Sequence, residues 1–302
     1  MNDRTVILLD GDILAYEGAF VAQKNIQWEE DLWTVHSDVA RARGYIQERI
    51  DSFVERLEAN DVVVALSDKT NFRRKLNPLY KANRRASFRP IGLQAVREWM
   101  EEKYQVECWP NLEADDVLGI LASERPNRRD KRIIVSIDKD FHGVPGRWYD
   151  FNRGEHHHPT PDEADRFHLL QTIAGDHVDG YRGVPGIGIA RARVYLDKEG
   201  YAWDSVVKAY EKAKLPESEA LMNAWMARLL RKGEYNLKQK ELYYLWMPPT
   251  YQEADKRRYS KLVHSVTGTL DVDATALSPQ MPFAPLPSAS NKEGKSTATV
   301  TG

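Results

Sequence analysis

Apolar residues in this chain fall either into short dense runs or into spaced stripes, and the two patterns predict different elements. Three runs, Thr5 to Leu9, Val62 to Leu66 and Arg132 to Ile137, are rich in Val, Ile and Leu with weak alternation, as in strands buried on both faces of a parallel sheet. A fourth strand is expected from Gln105 to Trp109, ahead of Pro110 and a helix opening near Leu112. Between the first two runs Trp28, Leu32, Val35, Val39, Ala42, Ile46, Ile50, Phe53 and Leu57 recur at steps of three or four. That spacing predicts one long amphipathic helix, with Gly44 as a kink point. Alternating strands and helices predict an α/β fold around a central, mostly parallel sheet over residues 1–160. Beyond about residue 160 the pattern turns helical, from Asp162 to Ala174, through a glycine-rich turn and on to about Leu245. A helical subdomain over 161–250 is the expectation, and the Pro-, Ser- and Thr-rich end over 277–302 reads as a disordered tail.

The 302 residues are 42% apolar, enough for a large core. A single cysteine, Cys108, allows no internal disulfide and suits a reducing cytoplasm; in its predicted strand it is expected to be a small buried residue. The apolar run near the start breaks at Asp10, too early for a signal segment or a membrane span. The net charge of -2, from 43 basic and 45 acidic side chains, excludes a uniformly basic nucleic-acid binder. Its distribution changes the picture: residues 69–89 carry Lys69, Arg73, Arg74, Lys75, Lys81, Arg84, Arg85 and Arg89 with no acid among them. Such a segment seeks phosphate.

The acids cluster at the ends of the apolar runs. LLDGD places Asp10 and Asp12 after the first strand, ALSD places Asp68 after the second, and SIDKD places Asp138 and Asp140 after the third. In an open parallel sheet these ends share one edge, where ligands bind. LEADDVLG adds Glu113, Asp115 and Asp116 in the first turn of a helix, and GDHVDG adds Asp176 and Asp179. Acids in a first helical turn are favoured by the helix dipole, and a lone Asp after a strand is an ordinary turn former. Gathered at one edge they repel, by about 4 kcal/mol per close pair at an effective dielectric near 20. Divalent cations relieve that repulsion; an all-oxygen donor set selects Mg²⁺ or Mn²⁺, and two ions about 4 Å apart can clamp a phosphate for attack by water.

In order, VILLDGD, ALSD, YKANR, LEADDVLG, SIDKDF and GDHVDGYRGVPGIGIARA resemble the 5′-nuclease superfamily, which includes flap endonucleases and the 5′ nuclease domains of bacterial DNA polymerases. The similarity is strongest to short phage-encoded 5′→3′ exonucleases, which share the DGD and a WEE-containing helix after it. The resemblance covers residues 5 to about 245. It implies a PIN-like catalytic domain with a helical arch over about 69–90, and a helix-three-turn-helix at 183–196 that grips duplex DNA. It also implies two Mg²⁺ ions, replaceable by Mn²⁺, held by Asp10, Asp68, Glu113, Asp115, Asp116, Asp138 and Asp140, with Asp176 and Asp179 at the more exposed ion. Asp12 would act from behind the ligands. Lys81 matches the family's catalytic lysine and Arg84 its companion. DNA would meet Tyr16, stacked on the terminal base, with Arg73, Arg74, Lys75, Tyr80, Arg85, Phe72 and Phe88 in the arch. Gly183, Gly186, Gly188, Arg191 and Arg193 would meet backbone phosphate in the turn, with K⁺ as an additional ion.

The implied activity is Mg²⁺-dependent 5′→3′ exonucleolysis of DNA leaving 5′-phosphorylated products, in phage replication or recombination in the host cytoplasm. Flap cleavage and RNA removal from RNA:DNA hybrids are alternatives within that reading. LLDGDIL also resembles the nucleophile loop of haloacid-dehalogenase-type phosphatases, but that leaves LEADD, YKANR and GVPGIG unexplained. A silent DNA-binding relative should lack some of the acids, and all are present. His156 to His158 are read as a polar surface hairpin, and Trp99, Trp148 and Trp225 as core.

Overall fold

The computed structural model describes residues 4–83, 89–124, 130–242 and 245–248. Strand β1 (Arg4–Asp10) leads into α1 (Gly11–Val21), a hairpin of β2 (Gln23–Glu29) and β3 (Leu32–Ser37), and α2 (Val39–Arg56). Next come β4 (Asp61–Ala65), the short α3 (Phe72–Leu76), α4 (Leu93–Lys103), β5 (Gln105–Glu107) and α5 (Ala114–Ser123). β6 (Asp130–Val135) runs into a 3-10 turn (Lys139–Gly143), β7 (Arg147–Asp150) and β8 (Glu155–His157). The remainder is α6 (Pro161–Ala174), the two-residue strands β9 (Gly175–Asp176) and β10 (Tyr181–Arg182), α7 (Ile189–Glu199), α8 (Trp203–Lys212), α9 (Glu217–Ala227) and a last small pair, β11 (Tyr235–Asn236) and β12 (Glu241–Leu242).

The main sheet has the order β5-β4-β1-β6-β7-β8, parallel throughout except for β8 against β7. Leu9 lies beside Val64 on one side and Val135 on the other, so the three central strands end at one edge. Alternate residues of β1 feed two cores. Ile7 and Leu9 pack with Ala42, Ile46, Ile50 and Met100 under α1, α2 and α4, while Val6 and Leu8 face Val117, Leu118 and the helices from α6 onward. The later helices therefore share a core with the sheet. Gly11 permits the tight entry into α1: a Cβ there would stand 2.5 Å from Val64 Cγ1 and 2.7 Å from the Ala65 carbonyl. Among the described residues no helix is long and apolar enough to cross a membrane.

The expected long helix from Trp28 is corrected. Only the part from Val39 is helical, where Ala42, Ile46, Ile50 and Phe53 are buried. Its start is set by Asp38, whose carboxylate accepts the Arg41 N–H at 3.0 Å. Upstream, Trp28, Glu29 and Glu30 lie at the tip of the β2–β3 hairpin, with Trp28 64% and Leu32 51% exposed. The stripe misleads because three of its positions lie upstream of that cap, where strand pairing wins: Trp28 Nε1 donates across the hairpin to Thr34 Oγ1 at 2.9 Å. Strand β5 stops at Glu107, ahead of Pro110, so Cys108 falls outside it and is exposed rather than buried. Trp148 and Trp225 are in the core, Trp99 is partly buried against it, and His156 and His158 are exposed on the β7–β8 hairpin. The tail over 277–302 lies outside the described residues.

Candidate active site

Asp10 ends β1 and caps α1, its carboxylate accepting the Ile13 N–H at 3.2 Å and the Ser136 hydroxyl at 2.9 Å. Ser136 Oγ in turn accepts the Asp138 N–H at 3.1 Å, tying the ends of β1 and β6 together. Burial, and after it the charge of Asp12, pushes the Asp10 carboxyl up to about 7. Asp115, in the first turn of α5, is raised well above the carboxylate range by burial and then by Asp10 and Asp138. Among the described residues no lysine or arginine is in ion-pair contact with Asp10, Asp115 or Asp138; the nearby pairs serve other acids. Ser136 was not expected from the motifs, although it stands inside SIDKD.

The neighbouring acids have built-in cations. Arg73, on α3, is 1% exposed and forks onto Asp116 with Nη1 to Oδ2 at 2.6 Å and Nη2 to Oδ1 at 2.7 Å. It also donates to the carbonyls of Met226 and Arg228. Asp116 further accepts the N–H groups of Glu113, at 3.3 Å, and Leu230, at 3.2 Å. That uses the roughly four acceptor positions of a carboxylate. Two expectations are thereby corrected: Asp116 is a structural partner rather than a metal ligand, and Arg73 pins α3 to α5 and α9 rather than meeting DNA. Tyr80 is buried, its hydroxyl donating to Glu113 at 2.8 Å, and Phe72 is buried too, so neither is open for stacking on bases.

Lys81 reaches Glu113 with Nζ at 2.7 Å and Asp179 at 3.7 Å, and its backbone N–H donates to the Asp179 carbonyl at 2.8 Å. It takes a left-handed backbone, φ 51, to do so. Burial favours a neutral Glu113, but Lys81 and Arg73 overcome it and hold that carboxyl down at about 2. On the other side, Lys139 bridges Asp140 at 3.0 Å and Asp176 at 3.1 Å, and Gln171 Nε2 donates to Asp140 at 2.6 Å. Burial and then Asp138 raise the Asp140 carboxyl. Asp12 pairs with Arg97 and accepts the Ser67 N–H at 3.0 Å, a brace between α1, α4 and the loop after β4. Asp68 accepts from the Thr70 hydroxyl at 2.5 Å and the Asn111 N–H at 2.8 Å, stapling its own loop rather than joining the central carboxylates. Arg97 and Gln171 carried no motif signal, because their partners come from distant segments, whereas Ser67 and Lys139 stand inside ALSD and SIDKD without being singled out there.

The nine expected ligands thus divide. Asp10, Asp115 and Asp138 press on one another, Glu113 and Asp179 share Lys81, Asp140 and Asp176 share Lys139, and Asp68 and Asp116 are engaged elsewhere. Among the described residues no three His, Cys, Asp or Glu side chains stand close enough, as placed, to hold a metal ion; like charges repel one another.

Of the expected DNA contacts, Tyr16 is 44% exposed and stacks on Phe20 with centroids 6.4 Å apart. Lys75 is exposed, with Nζ 2.6 Å from Asn111 Oδ1, and Arg74 is half-buried. Arg84, Arg85 and Phe88 lie outside the described residues. Gly186, Gly188, Arg191 and Arg193 are exposed together around the start of α7, with Arg191 Nη1 donating to the Gly186 carbonyl at 2.8 Å. A helix N-terminus flanked by arginines suits phosphate. Gly183 serves packing instead: a Cβ there would lie 2.1 Å from the Ile173 carbonyl.

This arrangement has known counterparts. The family described as "5'-3' exonuclease, N-terminal resolvase-like domain" matches residues 5–147. The exodeoxyribonuclease of Enterobacteria phage T3 is 34% identical over 82% of this chain and 94% of its own length. The exonuclease of Escherichia phage T7 is 33% identical over 82% and 95%. The fold is shared with bacteriophage T5 5′-exonuclease, solved with divalent zinc ions bound, at TM-score 0.59 and 18% identity over 88% of this chain and 98% of that one. With identity of this level extending over nearly the whole length of the T3 and T7 proteins, and with the carboxylate edge in place, the chain belongs to the 5′–3′ exonuclease family.

Proposed function

We propose that this protein is a divalent-metal-dependent 5′→3′ exodeoxyribonuclease that hydrolyses phosphodiesters from DNA 5′ ends. The observation that carries the reading is the trio Asp10, Asp115 and Asp138, buried or half-buried and paired with no cation among the described residues, with the Asp10 and Asp115 carboxyls raised by burial and by neighbouring acids that include Asp138. Such a trio favours either bound protons or a bound cation. The donors are all oxygen, which fits Mg²⁺, with Mn²⁺ as substitute. Asp10, Asp115 and Asp138 would hold the inner ion, with Asp140, Asp176, Asp179 and Glu113 toward the outer one. When bound, the ions supply a polarised water for attack and neutralise charge on the scissile phosphate.

The chain's own groups do the rest. Ser136 and the Ile13 N–H fix the Asp10 rotamer, and the Asp12–Arg97–Ser67 brace holds α1 against the loop after β4. Lys81, already charged beside Glu113, stands where it can turn toward phosphoryl oxygens. The start of α7, with Arg191 and Arg193, would grip duplex phosphate, and K⁺ in its glycine-rich turn extends the same reading.

The test is cleavage of a 5′-labelled duplex and a matched 5′-flap substrate, in Mg²⁺ or EDTA, by wild type and Asp138→Asn. Asn keeps the capping oxygen that now receives the Asp140 N–H at 2.9 Å, so the fold is spared. Mg²⁺-dependent release of 5′-phosphorylated products, lost in the variant while DNA binding persists, is expected, and product length separates exonuclease from flap endonuclease. DNA binding without cleavage in either Mg²⁺ or Mn²⁺ would overturn it.

A further inference from the structure

Asp140 and Asp176 come from different elements, the 3-10 turn after β6 and the β9 turn after α6. What joins them is one ammonium, Lys139 Nζ, at 3.0 Å from Asp140 and 3.1 Å from Asp176. The lysine side chain is 67% exposed, whereas the two carboxylates it links are only 17% and 15% exposed. The anchored partners are the acids: Gln171 holds Asp140 at 2.6 Å, and Asp176 accepts the Val178 and Asp179 N–H groups at 2.8 and 3.2 Å. The mobile partner is the lysine, a long side chain with one attractive position and open solvent beyond it. Lys81 on the opposite side is different, buried and also fixed through its backbone.

We propose that Lys139 is a built-in competitor of the outer divalent ion: its ammonium spans the two carboxylates that would ligate that ion, and must swing into solvent for the ion to bind. The inference rests on the metal reading above and adds to it a residue that sets the relative strength of the two ion sites. Lys139 holds the outer carboxylates together and partly neutralises them until an ion arrives, so the outer site binds more weakly than the inner one. Among the described residues the inner trio has no such ammonium.

The test uses the full chain without DNA, titrated with Mn²⁺ by calorimetry and by electron paramagnetic resonance of free Mn²⁺. Wild type, Lys139→Met and Lys139→Arg are compared, together with DNA affinity in EDTA. Because exposed ion pairs are weak, the expected change is modest: the weaker Mn²⁺ step tightens about three- to tenfold in Lys139→Met. The tighter step should stay within about twofold and Lys139→Arg close to wild type, since a guanidinium can also bridge. A weaker step detected only in Lys139→Met supports the proposal equally. Both steps unchanged in Lys139→Met would overturn it, and so would a loss of DNA affinity with unchanged Mn²⁺ steps, which would make Lys139 a phosphate contact. Wild type binding no Mn²⁺ at all would overturn the metal reading itself and this inference with it.

Discussion

Two groups of carboxylates share one edge of the sheet, and among the described residues only one of them carries its own cations. Glu113 and Asp116 are neutralised from within by Arg73 and Lys81, and Glu113 is held at about 2. Asp10, Asp115 and Asp138 sit beside them without such partners among the described residues, and Asp10 is pushed to about 7. Asp115 and Asp116 are adjacent in the chain, yet α5 turns one toward the like charges and the other into the core against Arg73. Asp116, its acceptor positions filled, is finished as structure, whereas an unsaturated, repelled carboxylate is stored affinity for a cation. Lys139 places Asp140 and Asp176 between these extremes.

The sharpest break of this contrast is Asp115→Asn. Loss of an ionised ligand should lower the cleavage rate by at least about 10³-fold, while the metal-free protein becomes no less stable because a like charge is gone. Single-turnover cleavage and melting in EDTA check both halves. On the other side, Arg73→Met leaves Asp116 buried and unpaired, and should cost about 3–5 kcal/mol. Urea unfolding measures it; an unchanged midpoint with weakened DNA binding would return Arg73 to the DNA-facing set.

Proton linkage sharpens the difference further. Asp10 has its folded pKa raised, so its favourable contribution is present below about pH 4 and is lost as the pH rises to about 7. Glu113 runs the other way: its contribution is present above about pH 4.5 and lost as the pH falls toward about 2. The stabilisation by saturating Mg²⁺ should therefore be greater at about pH 8 than at about pH 5.5, by about 2 kcal/mol, as ion binding requires deprotonated ligands. Melting temperatures with Mg²⁺ against EDTA across that range test it, and a pH-independent increment would remove Asp10 from the ligand set. The smallest effect is expected at α7, where Arg191→Ala should weaken duplex binding severalfold and flatten the salt dependence by about one ion. Fluorescence anisotropy across a KCl series reads both.

Much of the edge was legible in the chain. The three apolar runs are strands that end together, and DGD, LEADD and SIDKD lie where strand ends in a doubly wound sheet place ligands. Local charge misled where partners were remote. Arg73 looked like its basic neighbours because Asp116, 43 positions on, and the Met226 and Arg228 carbonyls, more than 150 positions on, leave no trace beside it. The hairpin was missed because its apolar positions continue the step of α2, and only the Asp38 cap separates them. Ser136, Gln171 and Arg97 could not be singled out, because a polar residue becomes an orienting group only when folding brings a carboxylate to it.

By itself, then, the amino-acid order determined what depends on neighbours a few residues apart: the strand runs, the helix from Val39, the acids closing each run and the basic character of 69–89. The tertiary structure decided how each charge is used. Whether an aspartate is neutralised by arginine, bridged by lysine or left to repel its equals depends on which side chains lie within about 4 Å in three dimensions, since the energy of charges in a poorly screened interior is set by separation in space and by lost water.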